Sequence, residues 1–144
     1  FSNVKLGLVH ALAHPIGHKY NVSHGAICGA LLPHVIEYNK SVREKKYTQI
    51  AKIMEQDMEN MEEKIRIPKL EKTKFERDDK ENQCLVDIIK NYLNVLNLPI
   101  NLSKYGVKEE DIEWIISNCK GGSYAANPRV PDDESLKNLL NKAI

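Results

Sequence analysis

The sequence predicts an all-α fold, a helical bundle of about six or seven helices. Apolar residues recur three to five apart through most of its 144 residues. No run shows the period-two alternation or β-branched density of a strand.

The first helix is expected over 2–14. Ser2 or Asn3 can cap it, and Val4, Leu6, Leu8, Val9, Leu12 and Ala13 place apolar groups around most of its circumference. A helix apolar on nearly all sides is buried on nearly all sides. Pro15 lacks an amide hydrogen and disfavours helical geometry at His14, so 17–21 reads as a loop. Ser23 is the expected cap of a second helix, whose apolar face carries Ile27, Leu31, Leu32, Val35 and Ile36. Gly25 and Gly29 leave that helix bare on one side. Pro33 is expected to kink it without ending it, since apolar spacing resumes at Val35.

A third, amphipathic helix spans 41–63, with Val42, Tyr47, Ile50, Met54, Met58 and Met61 on one face. The methionines read as adaptable core filling. Residues 64–82 mix both signs of charge around Pro68 and read as a solvated loop or insertion. The helix over 83–97 is stopped by Asn97-Leu98-Pro99, and a connector with a turn at Gly106 follows. Acids at 109–111 favour the start of a short helix bearing Ile112, Ile115 and Ile116. Gly121-Gly122 is expected to end it, and Asn127-Pro128-Arg129 reads as an extended turn. The last helix begins after Pro131, capped near Asp132.

Length alone makes this one domain. With 21 basic and 20 acidic residues, net charge +1, the chain offers no electrostatic case for nucleic acid or an acidic membrane surface. Aromatic residues are only 6%, too few for base-stacking platforms. Three widely spaced cysteines, Cys28, Cys84 and Cys119, suit reduced thiols in a cytoplasm. No apolar run is long enough to span a bilayer, and no basic leader precedes an apolar stretch. The chain starts at Phe1 without a methionine, which suits a fragment.

All five histidines fall within 7–39, the least charged stretch, where only Lys19 and Glu37 carry formal charge. His10 and His14 are four apart and share a helix face; His24 enters from the next helix. Three neutral imidazoles can hold Zn²⁺ or Fe²⁺ with positions left open. Histidines bonded to backbone carbonyls are the competing account, and the residues alone leave both standing. HxxxH here lacks the glutamate of HExxH, so no metalloprotease base is present, and no carboxylate precedes Leu32. A hydrolase of helical type would need an adjacent His-Asp pair, which occurs nowhere in the chain.

Gly7-Leu8-Val9-His10-Ala11-Leu12-Ala13-His14-Pro15-Ile16-Gly17, followed by Tyr20-Asn21, His24-Gly25 and Leu31-Leu32-Pro33-His34-Val35, resembles the histidine-rich segment of the iron-containing (group III) alcohol dehydrogenases. Further likeness at Leu96–Pro99, Gly106–Ile112 and Asn127–Arg129 extends it along the whole chain. The resemblance implies the C-terminal portion of a dehydroquinate-synthase-like helical domain. An N-terminal Rossmann-like domain would bind NAD or NADP, and the helical domain would hold a divalent metal, Fe²⁺ or Zn²⁺. Of four implied metal ligands, an upstream aspartate and histidine have no counterpart here; the other two fall on His10 and His24. The position of His14 implies a catalytic role in proton relay, and Ser123 is implied to border the cofactor side of the cleft.

Departures from the family pattern are also present. No GxGxxG phosphate loop occurs, 64–82 is longer than usual, and Gly121-Gly122-Ser123 differs from commoner versions. His18 replaces a frequently small residue and reads as neutral, His34 reads as structural, and Cys28 reads as a small buried hydrophobe. The expected parent is an NAD(P)-linked alcohol dehydrogenase, acting on an alcohol or aldehyde, cytoplasmic and homo-oligomeric, with the isolated chain silent. The rival is a non-enzymatic helical interaction or metal-binding module.

Overall fold

A computed structural model describes residues 5–64 and 81–144, with side chains described over 5–55 and 85–144. Six α-helices form among them: α1 Leu8–Tyr20, α2 His24–Lys64, α3 Glu81–Val95, α4 Ile112–Cys119, α5 Gly122–Ala125 and α6 Asp133–Ala143. Two 3-10 turns, Leu102–Tyr105 and Glu109–Asp111, lie between α3 and α4, and no strand occurs among the described residues. The all-α expectation holds. The core of the charged stretch, 65–80, and the cap expected at Ser2 or Asn3 lie outside the described residues.

The first helix departs from expectation at both ends. It begins at Leu8, after Gly7 at φ 85° and ψ −172°, a conformation open essentially to glycine alone. It then runs through Pro15 to Tyr20 and stops at Asn21, whose left-handed backbone (φ 51°) returns its amide to the Gly17 carbonyl. Proline forfeits one intrahelical hydrogen bond. Here Leu12, Ala13, Pro15 and Ile16 are all buried, and their packing outweighs that loss. Residues 17–20, expected as loop, are therefore helix, and His14 sits inside α1 rather than at its end.

The second and third expected helices run together as α2, with a break between them. α2 passes through the buried Pro33, and its non-helical angles fall at Arg43 (φ −133°, ψ 15°). That break falls beside the boundary expected between the two helices, near 41, and the only non-helical angles inside α2 are there rather than at Pro33. α3 stops where Asn97 turns left-handed (φ 53°). Gly121 does not simply end a helix: α4 finishes at Cys119, and Gly121 precedes the single turn of α5. Asp132 caps α6 as expected, accepting from the Ser135 amide at 2.7 Å.

Leu8, Leu12 and Ile16 of α1 meet Ile27 and Leu31 of α2, Ile115 of α4, and Leu136 and Leu140 of α6 in the main core. A smaller core joins Ile36 and Ala51 of α2 to Leu85, Val86 and Ile88 of α3. Gly29 allows α3 close approach, since a Cβ there would stand 3.0 Å from the Leu93 side chain; Gly25 faces open space.

A buried polar tie fixes the start of α1. Asn127 Oδ1 accepts from the Leu8 amide at 3.2 Å and from Asn39 Nδ2 at 3.1 Å. Asn127 Nδ2 donates to Asn39 Oδ1 at 2.8 Å and to the Arg129 carbonyl at 2.6 Å. At the other end of α1, Lys19 pairs with Asp111 and lies 4.5 Å over the Trp114 ring. The Lys19 ammonium, with the Tyr20 hydroxyl second, pulls the Asp111 carboxyl down to about 2. α1 is thereby pinned at both ends, with its histidines between.

Candidate metal centre

His10 and His14 project from successive turns of α1, and His24 opens α2 after the Asn21 reversal. The three rings form one cluster, with centroids 4.6 Å apart for His10–His14 and for His10–His24, and 5.2 Å for His14–His24. His14 Nε2 stands 3.0 Å from His10 Nε2, and His24 Nε2 stands 3.1 Å from His10 Nδ1. Cys28, one turn beyond His24, brings its Sγ to 3.3 Å from His24 Nε2. His10 and Cys28 are half-buried; His14 and His24 are exposed.

A neutral imidazole has one donor and one acceptor nitrogen. In each contact between two rings one nitrogen donates and the other accepts, the direction being set by the tautomer. Burial, then the neighbouring charges of His14 and His24, hold His10 below the ordinary imidazole value. Burial alone raises the Cys28 thiol. The cluster is a run of nitrogen and sulfur donor atoms in a stretch without acids before Glu37.

That donor set fits a borderline divalent cation. Tetrahedral bonds of about 2.0–2.1 Å hold two nitrogens about 3.4 Å apart, close to the 3.1 Å between His10 and His24. His10, His24 and Cys28 are the described group of three such ligands, with ligand atoms all within 4.8 Å of one another. Cys28 also packs half-buried against the main core, in keeping with the reading of it as a small hydrophobe.

Ser123 lies in α5, half-buried, and forms no hydrogen bond to the imidazoles. His18 is exposed on α1. His34 is half-buried with an unpartnered buried Nε2, away from the cluster, in keeping with a structural role. Burial first, then the Lys90 and Lys142 charges, keep its pKa low.

These depressed histidines set a pH dependence. The unfolded chain takes up protons near pH 6.5, before folded His10 and His34 do. It therefore binds more protons in that window, and stability falls as pH drops through about 6.5 toward the lower folded values. Thermal melts of the metal-free chain from about pH 7.5 to about pH 5 should show a falling midpoint. A flat or rising midpoint contradicts the assignment.

Among the described residues no helix is long and apolar enough to cross a membrane. Residues 1–144 match the family model described as Fe-containing alcohol dehydrogenase family, C-terminal. The chain is 34% identical over 148 residues to lactaldehyde reductase of Escherichia coli (strain K12), covering 99% of this chain and 34% of that protein. It is 28% identical over 144 residues to 1,3-propanediol dehydrogenase of Klebsiella pneumoniae, covering 99% and 33%. A solved 1,3-propanediol oxidoreductase superposes with a TM-score of 0.76 at 27% identity, over 96% of this chain and 33% of that one. The chain spans about a third of the length of the curated relatives it matches.

Proposed function

Since the chain belongs to the Fe-containing alcohol dehydrogenase family, as its C-terminal domain, we propose that it is the helical, metal-holding part of an NAD(P)-linked alcohol or aldehyde oxidoreductase. The observation that carries this is the 3.1 Å approach of His10 Nδ1 to His24 Nε2 across two helices. These are the two positions that the family resemblance makes metal ligands. Lactaldehyde reductase and 1,3-propanediol dehydrogenase, by name, convert small oxygenated substrates, which supports a short alcohol or aldehyde here.

His10 and His24 would hold Fe²⁺ or Zn²⁺ together with two ligands outside these 144 residues. The bound cation supplies Lewis acidity toward the substrate oxygen, and the nicotinamide supplies the hydride chemistry. The chain's own share is positioning and proton movement. Exposed His14 faces the space beside the imidazole pair and hands the hydroxyl proton outward, with His10 Nε2 at 3.0 Å fixing its ring. Ser123 borders the cofactor side of the cleft. A nucleotide-binding domain, a second copy of the chain and a cytoplasmic setting complete the proposal; the three widely spaced cysteines support the last.

The 144 residues form one helical domain that is silent alone, because half the ligands and the nucleotide fold are not among them. NAD(P)-linked oxidation of short alcohols is expected from the chain joined to a cofactor domain of its family and absent from the chain alone. Turnover by the isolated chain overturns this. A second reading, a helical metal-binding or interaction module, draws on His10, His24 and Cys28, whose ligand atoms lie within 4.8 Å of one another. Metal binding without turnover in the joined protein would establish it.

A further inference from the structure

Cys28 stands where a third donor from this chain belongs. Its sulfur lies 3.3 Å from His24 Nε2, and a tetrahedral cation separates a thiolate sulfur from an imidazole nitrogen by about 3.5 Å. His10 Nδ1 approaches the same His24 nitrogen from α1, so three ligand atoms from two helices converge within 4.8 Å. Cys28 is half-buried and in no disulfide, and the rigid turn from His24 to Cys28 fixes its position. His14 is set apart, because it meets His10 through the opposite ring nitrogen.

We propose that Cys28 joins His10 and His24 as a metal ligand, making a His₂Cys set that shifts this chain's preference from iron toward zinc. The inference rests on the metal assignment of His10 and His24 given above. Thiolate is a soft donor and favours zinc over harder cations. As sulfur coordinates, the thiol proton passes to the buffer, and nothing is oxidised or reduced. These three donors are this chain's share of the shell, to which the two ligands outside the 144 residues would add.

Cobalt(II) added to the 144-residue chain tests this spectroscopically. A near-ultraviolet thiolate-to-cobalt charge-transfer band is expected, lost in Cys28→Ser while the visible ligand-field bands remain. The excess of zinc over iron affinity should fall about tenfold or more in the same variant. Visible bands without charge transfer, or charge transfer surviving in Cys28→Ser, overturn the role of Cys28 and leave the histidine assignment standing. Undiminished cobalt binding by the His10→Ala/His24→Ala variant removes both. Should Cys28→Ser lose its helical circular dichroism, alkylation of Cys28 in the unaltered chain decides instead. Protection by zinc supports the ligand, and unchanged labelling overturns it.

Discussion

Replacing His10 and His24 together with alanine lowers zinc affinity by at least about 100-fold, since loss of an outer partner to a ligand alone costs 10–100-fold. His10 is half-buried and His24 exposed, so truncation opens no cavity in the main core and helicity should be unchanged. His14→Ala is the informative companion. Its ring touches His10 but lies outside the ligand triad, so zinc affinity should move by no more than a few-fold. In the joined protein the same change should depress turnover and alter its pH profile, which a purely packing role would not do. Chelator-competition titration reads the affinities. Unchanged zinc binding in the double variant would sink the metal assignment.

The pair His10–His14 could be placed in advance because four residues make one helical turn, whatever happens elsewhere. Bringing in His24 required a chain reversal between 15 and 23. The reversal exists, but it is made by Asn21 rather than by Pro15. Proline's intrinsic cost in a helix interior is about 3 kcal/mol, enough to end an isolated helix. In α1 it is offset by burial of Leu12, Pro15 and Ile16 against partners the local sequence does not reveal. The bend at Arg43 carries no proline or glycine signal, and we have no physical account of it. Cys28 packs half-buried on the main core, as a lone thiol on an apolar helix ordinarily does; its offset from His24 was visible, and the ligand role proposed for it rests on the distances. Asn127 reads from the sequence only as part of an extended turn, because its burial depends on Asn39, far away in sequence.

Asn127→Ala is expected to destabilise the chain by about 3 kcal/mol. The amide uses both its acceptor and donor ends, bonding the Leu8 amide, both polar atoms of Asn39 and the Arg129 carbonyl. Asn39 and Asn127 are 3% and 5% exposed, so water cannot replace what is removed, and an unmet buried polar group costs about 1–3 kcal/mol. Asn39→Ala breaks the reciprocal pair and the Asn39 bond to Tyr47 but spares the Leu8 and Arg129 bonds of Asn127, and should cost less. The double variant should cost less than the sum, with a coupling of about 1–2 kcal/mol, because the second deletion removes groups already orphaned by the first. Urea unfolding of the four proteins measures the cycle; independent, additive effects would show that the amides do not act as a unit. The consequence reaches the metal centre because the Leu8 amide is in the first turn of α1, two residues before His10. With that amide unbonded, the first turn frays and His10 loses its fixed distance from His24. Zinc affinity therefore falls in Asn127→Ala although no ligand has been touched, and falls further as temperature approaches the melt.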